Sequence, residues 1–311
     1  MRGVPVPNFF IVGAPRCGTS SLFFYLSAHP DVFVCQPKEP HHLGSDLDLR
    51  PRPFPDREGY VRLFDRGTRA RRLGEGSVLY LYSRTAPAEI QALSPDARVI
   101  ILLRDPARMV PSMHAHNLLL GHEDIPDLEG ALAAEADRIE GRRIPRTCVA
   151  PLALQYRAIG RFAQHVSRSL ESFGPERVRC ILYDELKAEP ERVYRDTIEF
   201  LGLEPGGRPE FKAHNQAARW RSPLAARFLI GGVRQGVRFA NKLPTPVLRM
   251  PALAVIGLLS FANLRLNMTQ AAPALPPSPE VRARLRDEFR DDVGRLAELL
   301  GRDLSSWLAA F

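Results

Sequence analysis

The stretch at residues 9–26, FFIVGAPRCGTSSLFFYL, constrains the fold of this chain more than any other segment. An apolar run leads into a turn that contains Gly13 and Gly18, and hydroxyl residues then open a second apolar run. This order is typical of a buried strand, a tight loop and a helix. The first N–H groups of such a helix point the same way and its dipole adds positive charge. The loop is therefore predicted to hold an anion such as a phosphate.

The lysine of nucleotide-hydrolysing loops is missing from this segment. Those loops follow G-x-x-x-x-G-K-[ST]. The two glycines fit, but Thr19 stands at the lysine position and the cation comes earlier, at Arg16. A threonine cannot supply the lysine's charge to a pair of phosphates, so hydrolysis of ATP or GTP is disfavoured. The remaining donors are backbone N–H groups and the hydroxyls of Thr19, Ser20 and Ser21.

Strand and helix patterns alternate along the chain. Apolar runs rich in β-branched residues recur as FFIVGA, VFVC, VIILLR and VRCILY, with longer stretches of helical spacing between them. Helices are predicted from Thr19, over residues 149–172, and in a C-terminal stretch from Val281 to Leu300 with apolar residues at steps of three and four. This alternation predicts an α/β fold, with a parallel sheet flanked by helices.

The composition fits a globular protein with reduced thiols. Of 311 residues, 45% are hydrophobic and 25% charged. Four cysteines lie far apart, without the spacing of a disulfide framework or a metal site, and the N-terminus lacks the apolar core of a signal peptide. We therefore expect a cytoplasmic protein that needs no metal. A composition rich in Ala, Arg, Leu and Pro points to a bacterial source.

Residues 211–279 contain no Asp or Glu and nine basic residues. The rest of the chain has 34 basic and 35 acidic residues, so this segment accounts for the whole net charge of +8. We interpret it as a basic helical insertion before the C-terminal helix. It favours an anionic partner, although a solvated helical face explains the charge as well. No nucleic-acid motif accompanies it, so no nucleic acid is expected as a partner.

An apolar stretch inside the insertion bears on membranes. Residues 250–264, MPALAVIGLLSFANL, are too few to span a bilayer, which takes about 20 residues. A buried helix is the preferred interpretation, and peripheral membrane contact stays open as an alternative.

Five segments, in order, resemble the sulfotransferases that use 3′-phosphoadenosine 5′-phosphosulfate (PAPS), in particular the heparan-sulfate-type and bacterial branches. They are GAPRCGTSSL, PKEPHHL, GEGSVLYLYS, VIILLRDPARMVPS and RVRCILYDEL. The resemblance implies a P-loop nucleotide-kinase-like sheet, PAPS as donor and 3′-phosphoadenosine 5′-phosphate (PAP) as product. It also implies a single domain over 1–311, with a PAPS-binding core at 8–210, an acceptor cover at 211–279 and a C-terminal helix at 280–311.

The resemblance also assigns the donor site. Arg104 ends a central strand, where parallel sheets bind ligands, and Ser112 follows eight residues later. A guanidinium and a hydroxyl so placed grip a terminal phosphate, whereas an ion pair between Arg104 and Asp105 at a helix start is the structural alternative. The donor-binding residues implied are Arg16, Cys17, Gly18, Thr19, Ser20, Ser21, Arg104, Ser112 and Tyr183.

Three residues are expected to carry the chemistry. By resemblance, Glu39 of KEPHHL is the general base, and Arg16 stabilises charge on the leaving 5′-phosphate. His41 is the alternative base, because a histidine serves in small-molecule sulfotransferases; Glu39 is preferred since the motif places a carboxylate there. His114 and His116 are interpreted as surface or pocket-lining residues.

The chain departs from the family pattern at two places. Gly76 stands where heparan-sulfate-type enzymes have a lysine, and the family's C-terminal donor loop is not recognisable; Arg219, Arg221 and Trp220 are candidates to replace it. Lys38 is expected either to touch the donor or tune Glu39, or to be solvated.

The expected function is transfer of a sulfuryl group from PAPS to a hydroxyl or amine. The acceptor is a small-molecule, glycan, lipid, natural-product or carrier-bound compound. The alternatives are a P-loop phosphotransferase, which needs the missing lysine, and a basic membrane-surface binding protein.

Overall fold

A five-stranded parallel sheet forms the centre of the protein, seen in a computed structural model that describes residues 5–212, 218–220, 268–270 and 278–309. The strands lie in the order β2-β3-β1-β4-β5. They are β1 (Phe9–Gly13), β2 (Val32–Val34), β3 (Arg72–Glu75), β4 (Arg98–Leu103) and β5 (Val178–Leu182). This is the strand order of nucleotide-kinase-like P-loop proteins, so the predicted fold class is confirmed.

Helices cover the sheet. Those in the first half of the chain are α1 (Thr19–Leu26), α2 (Arg57–Val61), α3 (Ala86–Leu93), α4 (Pro106–Leu120), α5 (Leu128–Ala133) and α6 (Glu135–Ile139). Those in the second half are α7 (Tyr156–Gly160), α8 (Ala163–Phe173), α9 (Tyr183–Ala188), α10 (Pro190–Phe200) and α11 (Pro279–Leu300). No helix in these described parts of the chain combines the length and apolarity that crossing a bilayer requires.

The central strands are apolar because both faces of the sheet are covered. Every residue of β1 is buried, and β4 is buried from its second residue onward. Since β4 lies between β1 and β5, the carboxyl ends of β1 and β4 emerge side by side. Parallel α/β sheets bind ligands at this edge.

Strand β3 was not among the predicted strands. Its sequence, RLGE, has no β-branched residue and no alternation of apolar and polar residues. It forms because it pairs with β1 on one side and β2 on the other. Gly74 has a specific packing role, since a Cβ there would lie 2.1 Å from the ring of Phe9. Tertiary packing, and not local propensity, specifies this strand.

The prediction of a single helix over residues 149–172 is wrong. A 3₁₀ turn (Pro151–Leu154), α7 and α8 occupy that stretch, separated by non-helical backbone at Gln155 and Arg161. The second break follows Gly160, a weak helix former. A Cβ at Gly160 would lie 2.5 Å from the ring of Phe289, so close packing against α11 accounts for the glycine.

The C-terminal helix forms as predicted. It ends at Leu300, and Gly301 follows as its C-cap with a φ of 61°. The insertion was expected to be helical, yet Ala218–Trp220 (β6) and Met268–Gln270 (β7) pair as a short antiparallel ribbon. Residues 250–264 lie outside the described residues. The boundaries at 210 and 279 stay a prediction.

Candidate active site

The loop between β1 and α1 has the backbone expected of an anion site. Gly18 precedes the first residue of α1 with a φ of 89°, a conformation that favours glycine. A Cβ on Gly18 would lie 2.8 Å from Leu186 and 3.1 Å from the ring of Tyr183. The N–H of Ala14 donates to the carbonyl of Leu102 over 2.7 Å, which fastens the loop to β4. The first N–H groups of α1 therefore open at the carboxyl edge of the sheet.

Arg16 connects this loop to α4. Its backbone is left-handed, with a φ of 63°, and its Nε donates to the hydroxyl of Ser112 over 3.1 Å. Ser112 lies in the second turn of α4, the helix that follows β4. The structure thus brings together a cation and a hydroxyl that are 96 residues apart.

Arg104 completes the cluster. Its Nη1 donates to the carbonyl of Arg16 at 3.4 Å, and its guanidinium lies 4.7 Å from the ring centre of Tyr183. Tyr183 is the first residue of α9, directly after β5. The residues predicted on the donor loop, on β4, on α4 and after β5 therefore meet at one place.

The cluster carries uncompensated positive charge. Burial lowers the pKa of Arg16, and the nearby charge of Arg104 lowers it further. Within the described residues, neither guanidinium pairs with a carboxylate. The alternative ion pair between Arg104 and Asp105 is not formed, because Asp105 accepts from the N–H of Ala107 and lies 3.4 Å from Arg108. Such a site favours a multiply charged anion.

The other predicted loop residues lie where the sequence suggested. Cys17 is fully buried, and burial raises the pKa of its thiol to about 12, so its side chain is not a reactive thiolate. Thr19 and Ser21 are buried and Ser20 is half-buried at the start of α1. Their contacts with a donor stay a prediction.

Glu39 lies on a strained loop between β2 and α2. Glu39 and His41 have φ values of 65° and 47°, which are unfavourable for residues other than glycine. Glu39 Oε1 lies 2.7 Å from Nζ of Lys38, and Oε2 lies 3.3 Å from Nε2 of His41. Strain of this kind, about 1–3 kcal/mol per residue, persists where surrounding contacts fix the backbone.

Two sets of contacts hold this loop in place. The guanidinium of Arg52 donates to the carbonyls of five residues, namely His41, His42, Leu43, Gly44 and Leu47. From the other side, the hydroxyl of Ser77 accepts the N–H of His41 and that of Tyr80 accepts the N–H of Leu43. Ser77 in turn donates to the fully buried carboxylate of Glu75 at the end of β3. Ser77 therefore links the loop that carries Glu39 to the end of β3.

The contacts of Glu39 with Lys38 and His41 set its ionisation. Burial raises its pKa, but the hydrogen bond from His41 and the charge of Lys38 outweigh burial and lower the pKa to about 2. The carboxylate is therefore ionised at neutral pH, and 38% of the Glu39 side chain is exposed. His41 donates from Nε2 to Glu39, and its Nδ1 is buried without a partner in the described residues. This geometry favours Glu39 over His41 as the group that meets an acceptor.

The charges of two predicted site residues, Arg16 and Glu39, act on His116, which is predicted to lie at the surface or to line the pocket. It lies on α4 one turn after Ser112 and is half-buried. Burial and the charge of Arg16 lower its pKa to about 4, whereas the charge of Glu39 opposes the shift. Its spacing of four residues from Ser112 puts both side chains on one face of a helix, and this is the feature of the sequence that points to His116. His114, by contrast, is buried and bonded to the carbonyl of Ile125.

Several predicted features fall beyond what the structure describes. Arg221 and the side chains of Arg219 and Trp220 lie outside the described residues. In the described ranges, no group of histidine, cysteine or acidic residues has the arrangement of a metal site. All four cysteines are free.

The sequence and the fold of this chain are similar to those of known proteins. A family model described as "Sulfotransferase domain" matches residues 6–215. A sulfotransferase from Alicyclobacillus acidocaldarius has a similar structure, with a TM-score of 0.68 and 30% identity over 98% of this chain and 100% of that one.

Two curated relatives match about the same part of the sequence. The human bifunctional heparan sulfate N-deacetylase/N-sulfotransferase 3 is 25% identical over 64% of this chain and 23% of its own length. The mouse heparan sulfate glucosamine 3-O-sulfotransferase 3A1 is 27% identical over 64% of this chain and 46% of its own length. The chain thus spans less than half of either relative. From the family match and the structural likeness together, the chain belongs to the sulfotransferase family.

Proposed function

We propose that this protein transfers a sulfuryl group from PAPS to a hydroxyl or amine acceptor. The observation that carries the proposal is the meeting of Arg16, Arg104 and Ser112 beside the N-terminus of α1. PAPS has phosphates at both ends of its ribose, and this cluster offers donors to both. Arg16 and the loop N–H groups suit the 5′-phosphosulfate, while Arg104 and Ser112 suit the 3′-phosphate.

The chemistry that PAPS supplies is an activated sulfur–oxygen bond. A bond forms between sulfur and the acceptor oxygen or nitrogen, and the bond between sulfur and the 5′-phosphate oxygen breaks with its electron pair left on that oxygen. The acceptor proton must go elsewhere, and the products are the sulfated acceptor and PAP.

Two tasks remain, which are removal of the acceptor proton and stabilisation of the leaving oxygen, and Glu39 and Arg16 perform them. Glu39 accepts the acceptor proton, since its carboxylate is ionised and partly open to solvent. Arg16 stabilises the negative charge that develops on the leaving oxygen, because its guanidinium is held in place by Ser112 and has no counter-ion among the described residues. An arginine stays charged throughout, so this is electrostatic stabilisation without proton donation.

The acceptor is proposed only by class. The names of the two curated relatives specify sulfation of heparan sulfate, on nitrogen in one and on a 3-oxygen in the other. We propose a carbohydrate, lipid, natural-product or carrier-bound acceptor. The basic segment at 211–279 serves as its cover. A cytosolic location is proposed from the four scattered thiols.

The phosphotransferase alternative is less favoured by the local geometry. It needs a Walker lysine and an acidic residue free to hold Mg²⁺. Thr19 stands at the lysine position, and Asp105 is engaged as the N-cap of α4. For the membrane alternative, the relevant residues, 224–264, lie outside the described part of the chain.

The test is transfer of radiolabelled sulfate from PAPS to a panel of glycan, lipid and phenolic acceptors. We expect label to appear on at least one acceptor class and to fall about 100-fold or more in Glu39→Gln. Glu58→Gln, an exposed glutamate on α2, is the matched control. Transfer that survives Glu39→Gln unchanged would remove Glu39 from the mechanism.

A further inference from the structure

Lys38 is the cation in direct contact with the proposed base. Its Nζ lies 2.7 Å from Glu39 Oε1, and only 13% of its side chain is exposed. Most lysines extend into water, and holding one in place costs about 2 kcal/mol of side-chain entropy. A lysine fixed here is therefore part of the site and not a surface contact.

The stem of Lys38 lies beside Gly76. The glycine follows the last residue of β3, and a Cβ there would lie 3.4 Å from Cε of Lys38, which is an ordinary contact distance. The same Cβ would lie 3.0 Å from the ring of Phe23 on α1, one turn beyond Thr19. The lysine stem therefore lies next to the end of β3.

The ion pair raises a chemical difficulty. A carboxylate whose pKa is about 2 takes a proton poorly, because base strength increases as the pKa approaches the working pH. Glu39 keeps its bond to His41 if Lys38 moves away, so its orientation is kept while one of the two partners that lower its pKa is removed. Removal of the ammonium alone would leave Glu39 oriented and more basic.

We propose that Lys38 exchanges partners, holding Glu39 in the donor-free site and moving to the sulfuryl oxygens of PAPS when the donor binds. The inference rests on the proposed function. An ammonium on a flexible stem makes such a shift by rotation about its terminal bonds. Glu39 is then a stronger base when a donor is present than in the donor-free site, and Lys38 adds positive charge at the sulfur centre.

Other titratable groups also act on Glu39 or on its partners. They are His41 on the same loop, His116 on α4, Arg16, and Glu75 at the end of β3. These groups are the same in the parent chain and in a Lys38 variant. A difference between the two chains therefore reports on the lysine.

The test compares PAP with PAPS, which differ by the sulfuryl group. Calorimetric titration of the full chain without acceptor should show a Kd for PAP within about twofold of the parent in Lys38→Met, but a Kd for PAPS raised about tenfold. Lys38→Arg should retain most of the parent's tighter binding of PAPS relative to PAP. Lys187→Met, an exposed lysine on α9, is the matched control.

A second readout needs no binding or turnover. In ¹³C-glutamate-labelled protein, the carboxyl signal lost in Glu39→Gln should titrate at a higher pH in Lys38→Met than in the parent. Equal loss of PAP and PAPS affinity, or an unchanged titration of Glu39, would overturn the exchange. Failure of the parent chain to bind PAP at all would instead contradict the proposed function, with the titration still deciding whether Lys38 holds Glu39.

Discussion

The Nε of Arg16 donates to the hydroxyl of Ser112 over 3.1 Å, across 96 residues of sequence. One residue comes from the loop after β1 and the other from the helix after β4, so adjacent strands deliver both. The contact fixes the direction of a guanidinium that has no carboxylate partner within the described residues. Arg16 and Ser112 therefore form a preformed pair of hydrogen-bond donors beside the N-terminus of α1. Substitution of either residue tests this pair.

From the serine side, Ser112→Ala should weaken PAP binding. The change removes the hydroxyl that orients Arg16 and, in our proposal, one donor to the 3′-phosphate. A hydrogen bond to a charged group contributes about 1.5–3 kcal/mol, so the Kd for PAP should rise about tenfold or more. Titration calorimetry measures this, with Ser167→Ala on α8 as the control. An unchanged Kd would mean that Ser112 has only a packing role.

From the arginine side, Arg16→Met should lower kcat about 100-fold or more, by analogy with the loss of one oxyanion donor. Arg16→Lys should recover part of the rate, because it restores the charge but not the geometry of the fork. Steady-state sulfation assays on both variants test this. A kcat for Arg16→Met equal to that of the parent would remove Arg16 from the transition state.

The stability of the protein should fall between about pH 6.5 and pH 4. Burial lowers the pKa of both His116 and His165 to about 4, from the ordinary value of 6.5. The unfolded chain therefore binds these protons first, and each histidine lowers the free energy of unfolding as the pH falls through this window. The slope is at most about 1.4 kcal/mol per pH unit for each histidine.

Urea unfolding at several pH values measures this dependence. His165→Gln should make the free energy of unfolding fall less steeply with falling pH than in the parent, because one histidine whose pKa is lowered by burial is gone. Buried carboxyls with raised pKa values, such as Asp292, contribute the opposite slope in both chains and cancel in the comparison. Identical slopes for parent and variant would contradict the assignment.

Arg138→Met should destabilise the fold strongly without touching the donor site. Arg138 and Glu123 form an ion pair whose side chains are both 0% exposed, with Nη2 and Oε1 2.7 Å apart. Loss of one partner leaves a buried charge, at a cost of about 3–5 kcal/mol. Thermal and urea unfolding test this. Arg142→Met, which breaks an exposed pair with Glu140, should have little effect. Equal stability of the two variants would contradict the prediction that breaking the buried pair costs more than breaking the exposed one.

Much of the core could be predicted because its signals are local. The run VIILLR gives a strand that is buried on both faces, and the glycine turn before Thr19 gives a phosphate loop. Chemistry-bearing residues at the ends of such strands meet at one edge, as Arg16 and Arg104 do. The family resemblance added Glu39, whose role remains a proposal.

The rest depends on contacts between distant residues. Strand β3 exists because β1 and β2 flank it, and the break after Gly160 because Phe289 packs there. The ionisation of Glu39 depends on its distances to Lys38 and His41, which spacing alone does not give. The influence of Arg16 and Glu39 on the pKa of His116 depends on the folded arrangement of α4 and the two loops, which spacing alone does not give.

The most direct measurement is thermal unfolding with PAP, 5′-AMP and Mg-ATP for the parent, Arg104→Ala and the control Arg108→Ala. Ligand at 100 times its Kd adds about 2.7 kcal/mol, which is a shift of roughly 4 °C for a chain of this size. We predict a shift with PAP that exceeds those with the other two nucleotides, is lost in Arg104→Ala and is kept in Arg108→Ala. A larger shift with Mg-ATP that is indifferent to Arg104 would contradict it, because the loop would then hold a triphosphate.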